Sequence, residues 1–532
     1  MKKLEAVKDN IRNYKWLIPR LWLLFGFLWN VWYQIMYGQK LLDSDMASEM
    51  VLSDILNREH SISGLTTSWR YSSELRVLNM QWLFRIGLAF FRDNWHLARV
   101  LSMTLAILLL AFSVWFVLYS INLSELGIWA AALALFPGGA YYFWLATFGG
   151  YYLPYIYIAL FSFSLTVLAI RDVRSVRSIV YIVLVILLGI GSGLNGIKQL
   201  MMYYAPLILS SICMIIIEYR NEKSENKRKT VNFFIISVLS GLASMIGYLI
   251  NSKVLSNIYV FKGFDETKIK SKSFFQMMKE YIWSFGYAED KILLSPAGIA
   301  SMFGVFFGII VIVCGILMIY KFEKLSFEIK LLSSFCFISI VFCVFIFSYI
   351  KIGNIEYYEP LVPLGYYLVV LEIYTAEYKY PKSRFVLYNL AMVLLLAASL
   401  GTAYNEDHEP WHSYRAQPEL NSLVTWLKGG YTEGVSAFWT ANIVTELSDG
   451  TIDMWTLESD SLNWHNWLQR EDHFGSFPRG KYFYLVDNAE LDEDVTDDYY
   501  INQAIVEAFL AEHPELIKIH QDENYTVWGV IE

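Results

Sequence analysis

The chain has 532 residues, of which 56% are apolar and 17% aromatic, and carries a formal net charge of −8 and four cysteines. An ordinary soluble protein is excluded, because the apolar residues gather in blocks of about 18–25, the length that crosses a bilayer core of roughly 30 Å. Cys213, Cys314, Cys336 and Cys343 all lie in apolar blocks, so no disulfide framework is implied, and no soluble stretch has the basic patches with interleaved aromatics that suit nucleic acid.

The N-terminal "MKKLEAVKDNIRNYK" is too long and too mixed for a simple signal peptide, and no small-residue cleavage site follows the next block. That block is read as a retained helix. Apolar runs here are continuous rather than alternating, and only helices or closed barrels satisfy backbone polar groups in lipid, so the spans are helical. Eleven are expected, at about 16–38, 96–120, 125–148, 151–170, 178–195, 200–218, 231–250, 298–320, 331–350, 361–376 and 385–403.

Lys2, Lys3, Lys8, Arg12 and Lys15, then "RDVRSVR", "EYRNEKSENKRKT", "KFEKLSFEIK" and "EYKYPKSR", make five basic connections. With eleven spans all five fall on one side, and the positive-inside rule makes that side the cytoplasm. The other face receives 39–95, 195–199, 251–297, 351–360 and the tail. The tail, from Tyr404, holds about 25 acidic against 6 basic side chains, so the remainder is basic.

The first outer loop is patterned. "DMASEMVLSDILNREH" repeats Met46, Met50, Leu52, Ile55 and Leu56 at helical spacing. "SSELRVLNMQWLFRIGLAFFRD" repeats Leu75, Leu78, Trp82, Ile86 and Phe90, with Arg76, Arg85 and Arg92 on its polar side, the pattern of a helix lying in the membrane interface. "SFFQMMKEYIWSFGY" (273–287) offers another interfacial helix. In the tail, "PELNSLVTWLKGG", "TANIVTELSDG" and "INQAIVEAFLAEHP" read as helices. "GVSAFW", "TIDMWTL", "KYFYLVD", "LIKIH" and "YTVWGVI" read as strands. The expected architecture is an α-helical polytopic membrane protein, with a transmembrane core over 1–403 and a small extracytoplasmic α/β domain over 404–532.

"LLDSDMASEM" (41–50) places Asp43, Asp45 and Glu49 just beyond the first span. Asp43-Ser44-Asp45 suits a helix N-cap. It also suits a general base, with Glu49 one turn on from Asp45 and on the same face. A carboxylate beside apolar surface can have a raised pKa, which favours proton abstraction. Nucleotide sugars are scarce outside the cytoplasm, so synthesis there needs a substrate that arrives activated, and a lipid-linked phosphate is the natural form. A phosphate leaving group needs a cation. Arg70, Arg76, Lys198, Lys291 and Lys351 are the candidates, each with headgroup contact or snorkelling as its alternative.

Taken together, this layout resembles the GT-C class of membrane glycosyltransferases, which includes protein O-mannosyltransferases and lipid A aminoarabinose transferases. "DSDMASEMVLSDIL", "SWRYSSELRVLNMQWLF" and "WHLARVLS" are similar to bacterial members of that class, mostly from Gram-positive organisms. The resemblance implies a GT-C fold, a donor sugar on a polyprenyl phosphate, no required metal or other cofactor, and attack with inversion at the anomeric carbon. It matches Asp45 to the acidic base of the first outer loop, with Asp43 second. Asp43 and Glu49 would orient the acceptor, an extracytoplasmic glycan, lipid or protein, or hold a cation. Arg70, Arg76 and Lys198 would meet the phosphate. One departure stands out. Where relatives carry an Arg-Tyr pair before a late-loop proline, this chain has "EYYEPLVP", with Tyr357 in the Arg position and Tyr358 beside it.

Two other readings come from the residues. A transporter or flippase for lipid-linked precursors would show repeats and ionisable groups at the midplane; no repeat is visible and the spans carry few charges. A non-catalytic scaffold is the other. "HEPWH" has two histidines four apart but contains a proline, and reads as a loop rather than a metal site. The tail's seven tryptophans could stack on sugars, but most are expected in its core.

Overall fold

The structure, a computed structural model, describes residues 2–171, 173–220, 226–261, 272–286, 292, 294–350, 355–377, 382–408, 418–459, 461–491 and 501–531. The first third of the chain forms α1 (Lys2–Tyr37), α2 (Ser44–Arg58), β1 (Trp69–Arg70), α3 (Gln81–Phe90), α4 (Trp95–Ser120), α5 (Ser124–Ala134), α6 (Ala140–Trp144) and α7 (Leu153–Ala169). The bundle continues through α8 (Val176–Gly193), α9 (Ala205–Arg220), α10 (Lys227–Lys253), α11 (Phe274–Trp283), α12 (Pro296–Tyr320), α13 (Phe327–Ile350), α14 (Val362–Thr375) and α15 (Ser383–His408).

Among the described residues, seven helices are long and apolar enough to cross a membrane, or eight if one bent pair counts as a span. These are the helices over Trp95–Ser120, Val176–Gly193, Leu200–Arg220, Lys227–Asn257, Pro296–Tyr320, Phe327–Tyr349 and Ser383–Asn405. The protein is therefore a multi-pass membrane protein, but the expected eleven straight spans are not all present as such. The stretch expected as one span at 125–148 is an 11-residue α5, a break, and then α6. The break is "FPGG": Pro137 cannot donate a helical hydrogen bond. Gly138 and Gly139 press on the α11 end, where an added Cβ would stand 2.2 Å from the Phe285 and Ser284 carbonyl oxygens. A π-helical stretch, Leu145–Gly149, follows α6, and α7 leaves it at a 91° bend. The segment at 361–376 is the 14-residue α14.

"GIGSG" lies at the end of α8, where small residues let α10 approach: a Cβ on Gly193 would be 1.9 Å from the Ser244 carbonyl oxygen. All four cysteines are free, three of them buried.

The tail contains α16 (Pro418–Leu427), β2 (Glu433–Ala437), α17 (Phe438–Leu447), β3 (Asp453–Leu457), β4 (Gln469–Arg470), β5 (Tyr482–Asp487), α18 (Gln503–Glu512), β6 (Leu516–Gln521) and β7 (Tyr525–Val530). Its five-stranded sheet has the order β3-β2-β5-β7-β6. β3, β2 and β5 are parallel, with α17 crossing from β2 to β3 and the stretch that carries β4 leading from β3 to β5; β7 and β6 add an antiparallel edge. β2 reads Gly434-Val435-Ser436-Ala437 with all four residues buried, as a strand covered on both faces should.

The tail is joined to the loop between α1 and α4. β1 of that loop pairs with β4 of the tail, Trp69 opposite Arg470. α2 is wedged between the two parts, so both sides of it are covered. Met46, Ala47, Met50 and Leu56 are fully buried, and α17 packs along the same helix. Each such methionine or leucine contributes about 1.5–3 kcal/mol by leaving water.

The second patterned stretch of the loop differs from expectation. Only Gln81–Phe90 is helical, and 72–80 is not. Its backbone groups are taken by asparagines of the bundle instead. Asn195 accepts from the Leu78 N–H at 2.7 Å and donates to the Leu78 carbonyl at 2.8 Å, and Asn251 donates to the Leu75 carbonyl at 2.9 Å. α3 keeps Ile86 and Phe90 exposed, as an interfacial helix would.

Candidate active site

Asp43 is the N-cap of α2. Its backbone is extended and its carboxylate accepts from the Met46 N–H at 3.0 Å, with the residue 2% exposed. Asp45 sits in the first turn, half-buried, and Glu49 lies one turn further along. The Asn79 side chain donates to Glu49 Oε1 at 2.9 Å, while Oε2 is buried with no hydrogen-bond partner among the described residues. Burial and then the neighbouring Asp45 charge push the Glu49 carboxyl up to about 7, against the pull of Arg76, Asn79 and Arg99.

Two cations meet at Glu74, and one of them, Arg76, acts on Glu49 of this helix. Arg76 comes from the non-helical stretch that Asn195 and Asn251 hold in place. Lys198 follows the turn after α8. Glu74 stands between them, its carboxylate 3.3 Å from the Lys198 ammonium and 3.9 Å from Arg76 Nε. All three side chains are mostly buried, between 14% and 17% exposed. Gly196 makes room for Glu74. It has φ +98°, and an added Cβ would come within 3.2 Å of Glu74 Oε1.

Tyrosines line the cations. Lys198 Nζ lies 4.7 Å from the centre of the Tyr357 ring and 5.5 Å from that of Tyr152, and the Arg76 guanidinium is 5.7 Å from Tyr152. Tyr155 closes the group through its hydroxyl, which donates to the Asn195 carbonyl at 3.1 Å. Burial works against the Arg76 charge, but Tyr155, Tyr152, Glu74 and Glu49 more than offset it and raise its pKa.

The structure thus gathers Asp45, Glu49, Arg76, Lys198 and Tyr357 at the tail-bearing end of the bundle. It does not bring Arg70 or Tyr358 to them. Arg70 is a fastener to the tail: its guanidinium meets Glu471 at 2.8 and 3.0 Å, donates to Asn466 and stacks 3.5 Å over the Phe474 ring. Being in β1, it projects across the β1–β4 seam to the tail. Tyr358 turns into the helical core, fully buried, with its ring 5.4 Å from Phe347 and 6.1 Å from Tyr281. Lys291, Lys351 and His412 lie outside the described residues.

Sequence reasoning missed Glu74, Tyr152, Tyr155, Arg99 and Glu446. Arg99 stands within the first long apolar helix after the loop, and an ionisable residue in such a helix is itself a signal. It is 3% exposed. It binds both Glu446 carboxylate oxygens at 2.5 and 2.6 Å, the Met46 carbonyl at 2.9 Å and the Phe148 carbonyl at 3.1 Å. Tail helix α17 therefore holds the first turn of α2. Ser44 reinforces this, donating its hydroxyl to the Phe438 carbonyl, with Asn442 3.4 Å away.

The chain is thus a helical bundle with a patterned first loop, carboxylates on that loop's first helix and a sheet domain at one end, a GT-C-like fold. No protein-family model matches this chain, and no curated protein matches it in sequence. Among solved structures it is similar to ArnT from Cupriavidus metallidurans in the apo state, with a TM-score of 0.57, 10% identity and 98% of each chain covered. The same ArnT bound to undecaprenyl phosphate gives a TM-score of 0.57 and 11% identity, over 97% of this chain and 98% of that one. An Archaeoglobus fulgidus oligosaccharyltransferase has a TM-score of 0.45 and 12% identity, over 83% of this chain and 62% of its own. At these identities the likeness is one of fold.

Proposed function

We propose that this protein is an integral membrane glycosyltransferase that moves a sugar from a polyprenyl-phosphate carrier to an extracytoplasmic acceptor. The observation that carries the reading is the Arg76–Glu74–Lys198 group, whose Arg76 charge acts on Glu49, one turn along α2 from Asp45. Two mostly buried cations suit a phosphate leaving group, and two carboxylates one turn apart suit proton abstraction from a hydroxyl. The ArnT structure of the same fold was obtained with undecaprenyl phosphate.

In this reading the N-terminus is cytoplasmic and the tail, taken as 404–532, is extracytoplasmic, in keeping with the positive-inside rule applied to the basic connections. Asp45 takes the acceptor proton as the acceptor oxygen bonds to the anomeric carbon. The anomeric C–O bond breaks on the opposite face, and the bonding pair leaves with the polyprenyl phosphate. Asp43 supports the base by capping its helix. Glu49 orients the acceptor. Arg76 and Lys198 hold the phosphate, so Lys198 with Tyr357 takes the place of the arginine absent from "EYYEP". An apolar crevice lined by Ile156, Leu160, Met202, Phe335 and Leu361 opens beside Tyr155 and Gln199. It is narrow, about 20 Å³, so a polyprenyl chain entering there has to part its walls. A cell-wall or surface glycopolymer is the acceptor we favour.

The test compares envelope glycans of cells carrying Asp45→Asn with those of a deletion strain, by mass spectrometry, with expression verified. Transfer requires that one sugar decoration vanish in both and that its polyprenyl-linked donor accumulate. A mutant identical to wild type, beside a deletion strain that differs, returns Asp45 to a structural role.

A further inference from the structure

We infer that Glu74 sets the charge of the carrier this site accepts, favouring a lipid with one phosphate over a lipid with a diphosphate. The inference rests on the phosphate reading of Arg76 and Lys198. Both cations already share one carboxylate, that of Glu74, at 3.9 and 3.3 Å. It cannot readily swing away. Gly196 lies close behind it, since an added Cβ there would come within 3.2 Å of Glu74 Oε1, and the stretch carrying it is held at Leu75 and Leu78 by Asn251 and Asn195. Glu74 Oε2 and Arg76 Nε are both buried without a hydrogen-bond partner among the described residues, so the group is paired by charge but short of hydrogen bonds. An incoming phosphate oxygen can supply an acceptor to Arg76.

Set against Glu74, the two cations keep about one unit of positive charge, and Glu49, which acts on Arg76, lowers it further. A sugar on a polyprenyl monophosphate is a diester with one negative charge, and it leaves as a monoester that gains one more. The diphosphate-linked donor carries one further charge in both states. That extra charge would lie within several ångströms of a mostly buried carboxylate, where repulsion lowers affinity about tenfold or more. Glu74 would act as a specificity-determining residue with no part in bond making.

The experiment titrates the purified full chain, in detergent, with undecaprenyl phosphate and separately with undecaprenyl diphosphate, following binding by native mass spectrometry. The wild type should prefer the monophosphate by about tenfold or more. Glu74→Gln should bring the ratio towards one by tightening diphosphate binding. Glu74→Asp, which withdraws the carboxylate by one methylene, should give an intermediate ratio and decides the matter if the glutamine variant does not fold. A ratio unchanged in the folded variants overturns the role of Glu74 while leaving the donor reading intact, as does a wild type that binds both lipids equally. A wild type that binds neither lipid overturns the donor reading itself and this inference with it.

Discussion

Arg99 of the bundle and Glu446 of the tail form a buried ion pair at 2.5 Å, both side chains only 4% exposed. The same guanidinium also donates to the Met46 carbonyl, one residue past Asp45. The tail is thus part of the wall behind the candidate base. A bidentate pair with further carbonyl acceptors satisfies a buried guanidinium well, whereas removing one partner leaves the other charge uncompensated.

Glu446→Ala should therefore destabilise the protein by about 3–5 kcal/mol, read by chemical unfolding in detergent. The double variant Arg99→Met, Glu446→Met should recover most of that loss, because an apolar pair of similar volume carries no desolvation penalty. If the double variant is as unstable as the single one, the pair is not the element that holds α2 to the tail.

Lys198→Met and Arg76→Gln should each weaken binding of undecaprenyl phosphate by roughly 10–100-fold, the value of one charge-assisted contact of about 1.5–3 kcal/mol. Arg70→Ala should leave that affinity within about threefold, since Arg70 is engaged with Asn466, Glu471 and Phe474 of the tail. Equal losses in all three variants would remove the distinction drawn between them.

Glu49 should titrate near neutrality, and its neighbours should move it in opposite directions. Asp45 raises its pKa and Arg76 lowers it. Hence Asp45→Asn should shift the Glu49 midpoint down from about 7, and Arg76→Gln should shift it up. Infrared carboxyl difference spectra against Glu49→Gln would show both. Shifts of the same sign would mean that the charges around Glu49 are not those named here.

At the end of β5, Asp487 and Glu490 are both buried. Burial raises both carboxyls above their ordinary values, Asp487 to about 6, and the Asp487 charge raises Glu490 further. A carboxyl raised on folding stabilises the folded state while protonated, and that contribution is lost as pH rises through the folded-state pKa. Tail stability from this pair should therefore fall as pH rises from about 4 through 6 and beyond. Glu490→Gln should raise the melting temperature at pH 8 by a few degrees, about 2–4 °C, and should do little at pH 4. A larger gain at acid pH would contradict the sign.

Periodicity and composition made the membrane bundle legible. They also marked the strand–helix alternation of the tail, since β2, β3, β5, β6 and β7 lie where the apolar runs lie. The loop was half legible. Helical spacing marked α2, but the same spacing over 72–92 suggested a helix that forms only from Gln81 to Phe90. Spacing could not show that Asn195 and Asn251, more than a hundred residues away, would take up the backbone groups of Leu75 and Leu78.

Local pattern by itself determined that the chain crosses a membrane many times, that it ends in an acidic α/β tail and that carboxylates gather on the first helix past the first block. Each of these depends on neighbours in sequence: the length of an apolar run, a period, a cap. Tertiary structure alone decided which charges meet. Arg76 and Lys198 come to one carboxylate from different parts of the chain, Arg70 is turned to the tail, Tyr358 into the core, and Arg99 reaches a glutamate 347 residues away. Mostly buried charges need partners, and the partners available to each are set by how helices and sheet pack, which no local spacing records.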